Sequence, residues 1–522
     1  LYMNGGNYVE GTFELLDYSL SVTKSAPFML EAITASKDII RYINGETIGT
    51  DDIKVTAIYS DDTTAPVSKF ITNVKTAISE NAEGDIPLTV TYTESQVTKK
   101  TEIILKIYKR DLTEPEEFHD MTAKEYCEAW GFGVNYGNVL DARPNGYGAS
   151  TTRATIDSYI KDNQQPEGGD TFMNQETAWG QPISIADHFK MYKAAGFNMI
   201  RIPVSWCYNS YIERNSDGSP VTDDDGYTIR HIGKYYTCRV REVVDMALDA
   251  GLYVIINMHH EQPIIYTSST TSQMEQAYRD AKNMWSEIAN KFKYYNERLS
   301  FEGYNEVDNL KSSFNYSDES AEEMNTLNQI FVDTVRASGG NNTKRILHCP
   351  TTVHIATENA LKAWKKPTDI IDDHIILNVH DYSLAYLQQL EPEFINMEKY
   401  SDLYNVPICI GEWGSTVGEI NGSKTDLGNR TLHAQNYAAL ARLHNLYPIW
   451  WCNNSNYRLF LKSNTSTVEA EKYINSSLCK ELQNRIKIGW TTMTGYRIPD
   501  NQIAVYNKLE QFELLNWDAD KG

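Results

Sequence analysis

From about residue 15 to residue 110, apolar and polar positions alternate in short runs: FELLDYSLSV, FMLEAITA, IKVTAIYS, PLTVTYTES and TEIILKIYK. Polar turns such as SDDTT and SENAEGD separate them. A period of two places one face of each run toward a core and the other toward water, the signature of half-buried strands. No amphipathic helix competes, so this region is expected to be an all-β sandwich. The segment DLTEPEEF, with its proline and acids, reads as the linker that ends it. The chain is therefore expected to divide into a module at 1–112 and a larger domain at 113–522.

After Glu117 the pattern changes to apolar runs of strand length alternating with helical ones. Eight strands are expected: GFGVNYG from 131, NMIRIPVSW from 198, LYVIINMHH from 252, LSFEGYNE from 299, RILHCPTTV from 345, HIILNVHDY from 374, VPICIGEWG from 406 and YPIWWCNN from 447. Between them lie helical patterns such as ADHFKMYKAAG, TCRVREVVDMALDAG, EMNTLNQIFVDTVRASGG and HAQNYAALARLHN, two of them closed by glycine. Eight strands alternating with helices make a (β/α)8 TIM barrel. Several runs carry a polar or aromatic residue near the C-terminal end: Arg201, Trp206, His259, Glu306, His380, Glu412 and Trp451. In a barrel these ends share one face, so the residues converge without being neighbours in sequence. A closing helix is expected around Gln502 to Leu515.

Composition narrows the function classes. A net charge of −22, from 70 acidic and 48 basic residues, repels phosphate backbones and argues against nucleic acid as a partner. A neutral polymer is not affected by it. No apolar run approaches the roughly 20 residues of a membrane span. The chain opens LYMNGGNYVEG, without a charged or apolar leader, and beginning at leucine is consistent with a secretion signal already removed. The seven cysteines form no CxxC pair and read as buried thiols, not as a zinc site or a disulfide framework.

Two of the strand-like runs, LSFEGYNE and VPICIGEWG, place Glu306 and Glu412 at the mouth of the expected barrel. One proton donor and one nucleophile across a sugar bond are what retaining glycoside hydrolysis requires. The blocks NYGNVLDA, ETAWGQP, GFNMIRIPVSW, VIINMHHE, FEGYNE, HDY, GEWG and IWW together resemble, in order, those of glycoside hydrolase family 5, over about residues 120 to 460. The branch with the ETAWG block comprises bacterial endoglucanases and xyloglucanases. FEGYNEVDN departs from the family's commoner Asn-Glu-Pro ending, which leaves the leaving-group side open. The N-terminal stretch VTAIYSDDTTAPVS with PLTVTYTESQVTKKTEIILKI resembles bacterial immunoglobulin-like modules on extracellular enzymes.

The resemblance implies roles residue by residue. Glu306, after Asn305, corresponds to the general acid/base and Glu412 to the nucleophile, with the carboxyls about 5 to 5.5 Å apart for retention. Arg201 is implied to bind the nucleophile, and His380 and Tyr382 to contact the two acids. His259 is implied to bind a sugar hydroxyl, and Trp451 to stack on the sugar while Trp450 turns to the helix layer. Asn138 and Trp206 are further substrate-binding candidates; Trp179 and Tyr136 also stand near strand ends, with core packing as the alternative for these aromatics. His259 and His260, adjacent on a strand, would face opposite sides and so would not share a metal. The loop with Asp223, Asp224 and Asp225 has Lys234 where an EF-hand needs glutamate and reads as a hairpin turn. The expected function is a retaining endo-β-1,4-glucanase with no cofactor and no metal, acting as a secreted or cell-surface monomer on plant cell-wall β-glucan. Mannan or xylan cleavage and carbohydrate binding without catalysis are the alternatives. The N-terminal module is expected either to space the barrel or to bind polysaccharide.

Overall fold

The structure, a computed structural model, describes residues 28–35, 39–46, 53–74, 83–131, 133–144, 146–148, 150–163, 175–384, 387–415, 427–453 and 457. The expected first strand FELLDYSLSV, the expected helix around Gln502 to Leu515 and Cys479 lie outside these residues. The chain forms two compact units, Leu1–Arg110 and Asp111–Gly522.

The first unit holds two sheets. Strands β1 (Leu30–Ala35), β3 (Val55–Tyr59) and β4 (Thr64–Val67) form one; β2 (Ile39–Ile43), β7 (Val97–Tyr108), β6 (Gly84–Glu94) and β5 (Ile71–Thr72) form the other, in these spatial orders. Alternate residues of both sheets, among them Leu30, Ile33, Val55, Ala57, Leu88, Val90, Ile103 and Leu105, meet in a single apolar cluster. The period of two thus becomes a β-sandwich.

In the second unit the eight expected runs are eight parallel strands: β8 (Gly133–Asn135), β9 (Met199–Ile202), β12 (Tyr253–Asn257), β13 (Leu299–Glu302), β14 (Leu347–Ile355), β15 (Ile375–His380), β16 (Ile408–Trp413) and β17 (Leu446–Trp450). They close into a barrel by pairing of β17 with β8. A side hairpin, β10 (Ser210–Ile212) with β11 (Arg230–Ile232), sits in the connection after β9. Its turn carries the three aspartates within a hairpin bridged by Thr222 and Thr228, and Arg279 pairs with Asp223 at 2.5 Å and with Asp225 at 2.6 Å.

Strand parity then sorts the side chains. Ile200, Ile202, Val254, Ile256, Phe301, Leu377, Ile408, Ile410 and Trp450 face the helix layer and share one large core. The helix Asp318–Ala337 meets that core with Met324, Leu327, Phe331 and Val335, a stripe spaced three and four apart. Residues of opposite parity, Met199, Ile255, Ile376, Cys409, Tyr447 and Ile449, fill the barrel's N-terminal end together with Tyr126, Cys127 and Trp130 of the helix Ala123–Trp130. A Thr122–Glu125 capping box starts that helix. The floor of the barrel is therefore closed mainly by apolar packing, with Ser300 and His348 hydrogen-bonded to each other and Ser300 to the Tyr126 hydroxyl within it, and the charged residues of the site gather toward the opposite end.

Candidate active site

Arg201 occupies the interior-facing parity of β9 and is fully buried. A buried guanidinium must spend its donors. Here all five N–H groups find acceptors: Nε and Nη2 grip Glu302 at 2.5 and 2.8 Å, Nη2 also reaches Asn305 Oδ1 at 2.7 Å, and Nη1 donates to Asn135 Oδ1 at 2.9 Å and to Glu412 Oε1 at 2.8 Å. Glu302 is the last residue of β13 and is absent from the sequence-based set. Its signal was its parity: with Ser300 it faces the interior, where a carboxylate needs a buried partner. Burial opposes its charge, but the bidentate Arg201 and a hydrogen bond from His354 outweigh that and hold the carboxyl well below the ordinary glutamate range.

Glu412, on β16, is 5% exposed. Besides Arg201, it accepts from the Tyr382 hydroxyl at 2.8 Å on Oε2. Glu306 does not end a strand: β13 stops four residues earlier, and Glu306 sits in the following turn with a left-handed φ of 38°. A third of its side chain is open to solvent. Its Oε1 is 2.7 Å from Nδ1 of His380, whose ring also lies 3.8 Å from Glu412 Oε2. Oxygens of Glu306 and Glu412 and the His380 nitrogen all lie within 4.8 Å of one another. Loss of solvent raises both carboxyls above their ordinary range; Arg201 and Tyr382 pull Glu412 back down, while the charge of Glu306 opposes ionisation of Glu412 and that of Glu302 opposes ionisation of Glu306. Two such acids at this distance hold one proton between them more readily than none.

Neutral imidazoles surround the pair. Burial, reinforced by neighbouring rings and the Arg201 charge, depresses His259 and His380 well below the ordinary histidine value. His259 lies 4.0 Å from Glu412 Oε1 and stacks in parallel with Trp451 at 6.0 Å. Trp451 is partly exposed, and Gly137 is what admits it: a Cβ there would stand 2.7 Å from the indole. Asn138, next in chain, takes a left-handed φ of 64° and is partly exposed. Trp179, 36% exposed, lies edge-on to His260, with the Arg143 guanidinium over its ring.

Three expectations are corrected. Trp206 is not a substrate-facing ring: it is fully buried, gives its indole N–H to the Asn257 carbonyl at 2.8 Å and packs edge-on against Tyr236. Past the end of β9 the alternation lapses and no longer says where a ring points. Tyr136 is likewise buried, against His188 and Phe189. The parity argument about His259 and His260 also fails, because β12 ends at Asn257. Their rings touch at 4.4 Å, and with Asp141 they bring ligand atoms within 4.8 Å of one another. A second such group is Glu302, His354 and His380. In each, a hydrogen bond already engages one imidazole nitrogen: His260 Nδ1 with the Asp141 carbonyl and His354 Nε2 with Glu302.

Residues 160–457 match the cellulases of glycosyl hydrolase family 5. The chain belongs to that family. Family 5 enzymes are retaining glycoside hydrolases acting on O-glycosyl bonds. The chain is 29% identical over 410 residues to endoglucanase A of Paenibacillus barcinonensis, covering 69% of this chain and 90% of the relative. It is 28% identical over 373 residues to a xyloglucan-specific endo-β-1,4-glucanase of Bacteroides ovatus, covering 65% and 67%. Among solved structures, a broad-specificity endoglucanase from Ruminococcus champanellensis with bound cellotriose superposes with a TM-score of 0.57 at 26% identity, over 71% of this chain and 99% of that one. Among the described residues, this family 5 chain has no helix long and apolar enough to cross a membrane.

Proposed function

We propose that the protein is an endo-acting, retaining β-1,4-glucanase that cleaves the backbones of cellulose, mixed-linkage glucan or xyloglucan. One observation carries the reading: two carboxyl oxygens within 4.8 Å of each other, one acid held by a cation and a hydroxyl, the other by an imidazole. Retaining enzymes place their carboxyls about 5–5.5 Å apart, whereas inverting ones need about 6.5–9.5 Å to seat a water. Glu412, supplied with donors by Arg201 and Tyr382, is the ionised nucleophile. It attacks the anomeric carbon as Glu306 gives its proton to the departing glycosidic oxygen. The glycosyl ester neutralises Glu412, so Glu306 loses a repelling neighbour and can take a proton from water, whose oxygen then displaces Glu412 and restores both groups. His259, Trp451 and Asn138 line the sugar side, Trp451 offering a flat apolar face to the ring's axial hydrogens.

The names of the relatives support the β-glucan assignment, and so does the acidic, phosphate-repelling composition. Such polymers stay outside cells, so the enzyme acts as a secreted or surface-held monomer. The N-terminal sandwich, immunoglobulin-like in its strand pattern, serves as a spacer; retention of the isolated module on insoluble cellulose would refute that. Proton NMR of the first product from mixed-linkage glucan tests the main reading. A β-anomer at early times is expected; an α-anomer, or binding without release of reducing ends, overturns it. A polysaccharide panel then ranks glucan against mannan and xylan, and preferential cleavage of either of the latter overturns the substrate class.

A further inference from the structure

Glu306 is held in a conformation it would not adopt alone. A side-chain-bearing residue in the left-handed region is strained and persists where its surroundings over-determine it. Its backbone N–H donates to Nδ1 of His354 at 2.9 Å. His354 arrives by a strained route of its own: Val353 and His354 have φ of 52° and 58°, and the register between β14 and β15 breaks between Pro350 and Ile355. A β-branched residue is unfavourable there, so the kink is being held, not tolerated. The resulting ring is 1% exposed, with Nε2 3.1 Å from Glu302 Oε1 and its face 4.0 Å from that of His380.

These contacts define one tautomer. Nδ1 accepts a backbone N–H and so bears no proton, and Nε2–H is left to donate to the Glu302 carboxylate. His354 therefore joins the two halves of the site: the Arg201–Glu302 pair, which also grips Glu412, and the turn that presents Glu306. We propose that His354 is a positioning residue for proton transfer, fixing the acid/base on its turn through Nδ1 and anchoring itself through Nε2. The proposal rests on the assignment of Glu306 as acid/base.

Two amide substitutions separate the two nitrogens, because asparagine places a polar atom near the position of Nδ1 and glutamine near that of Nε2. His354→Asn retains the acceptor for Glu306; His354→Gln retains the donor to Glu302 and releases Glu306. The readout is hydrolysis of mixed-linkage glucan, whose leaving oxygen needs a proton, against 2,4-dinitrophenyl β-cellobioside, whose leaving group does not. His354→Gln is expected to lower kcat on glucan by about tenfold to a hundredfold, part of what general acid catalysis supplies, with KM unchanged and kcat/KM on the dinitrophenyl substrate within about twofold of the parent. His354→Asn is expected to retain the parent's ratio between the two substrates. An equal loss on both substrates in the Gln variant, or a larger glucan loss in Asn than in Gln, overturns the proposal. Should the Gln variant fail to fold, His354→Phe, which preserves the stack on His380 and drops both hydrogen bonds, is read in the same way. Glu306→Ala distinguishes the underlying assignment: a loss on glucan that far exceeds the loss on the dinitrophenyl substrate upholds it, and equal losses refute it whatever the His354 variants do.

Discussion

The two ends of the barrel are built from the same eight strands and obey opposite rules. At the floor, Met199, Ile255, Ile376, Cys409, Tyr447 and Ile449 meet Tyr126 and Trp130 in an apolar plug. At the mouth, the interior positions of the same strands become Arg201, Asn257, Glu302 and His380, and a register shift in β16 after Ile410 brings Glu412 in beside them, all buried. One step of two residues along each of β9 and β12, from Met199 to Arg201 and from Ile255 to Asn257, spans the change. The floor gains free energy by removing apolar area from water. The mouth gives some of it up to hold ions; left-handed residues occur at both ends, but those beside the floor helix, Asp373, Asn405 and Asn445, are types that tolerate that conformation, whereas the mouth holds Glu306, Val353 and His354 in it. Stability is concentrated where no chemistry occurs, and strain where it does.

If the division is real, mutations at the mouth should separate activity from folding, and the largest effect belongs to Glu412. Glu412→Ala should lower kcat on glucan by on the order of 10⁴–10⁶, the scale on which removing one member of a cooperating catalytic set is felt, while the far-ultraviolet spectrum and cooperative melting persist. Substantial residual turnover would remove Glu412 from the nucleophile's role. Next comes Glu302→Gln, where the mouth's two tasks are tied together. Withdrawing a buried charge from Arg201 should cost roughly 3–5 kcal/mol in denaturant unfolding and also depress kcat, because the same guanidinium holds Glu412. A variant as stable as the parent would mean that Arg201 is satisfied without Glu302. At the floor, Ile255→Ala should cost roughly 2–5 kcal/mol by leaving a cavity but leave kcat and KM at 25 °C unchanged. A fall in kcat there would show that the two ends are mechanically coupled.

The same comparison explains what was legible in the sequence. The eight strands were, because alternation and run length are local properties that burial on both faces reinforces. That Arg201, Glu306, His380 and Glu412 meet was legible too, because strand ends of one barrel face converge whatever the loops do; Asn305 and Tyr382 were named only through the resemblance to family 5. Glu302 could have been found from parity alone, as an acid on the interior face of β13 facing an arginine of the same parity on β9. His354 could not. Nothing in the residues TTVHI calls for positive φ, and the kink that carries the ring exists only because Glu302 and the Glu306 backbone hold it. Trp206 marks the complementary failure: beyond a strand's last paired residue, periodicity loses its meaning.

The smallest expected effect is the most diagnostic of how the mouth divides its proton. Tyr382 donates to Glu412 Oε2 and is 36% exposed, so Tyr382→Phe leaves the fold and Arg201 in place and removes one of the two side-chain donors described at that carboxylate. A hydrogen bond to a charged acceptor contributes about 1.5–3 kcal/mol when fully enclosed, and partial exposure reduces it, so a loss of about tenfold in kcat/KM is expected. The sign of the pH effect follows from which form the donor favours. Burial raises the Glu412 carboxyl, and the tyrosine hydroxyl acts against it by stabilising the ionised form; its removal must raise the carboxyl further. Since attack needs Glu412 ionised, the acid limb of the kcat/KM profile should move to higher pH. The alkaline limb, where the proton leaves Glu306 while Glu412 is already charged, should move less. An acid limb that stays fixed while the alkaline limb falls would mean that Tyr382 serves Glu306 instead, and the pair would have to be assigned the other way round.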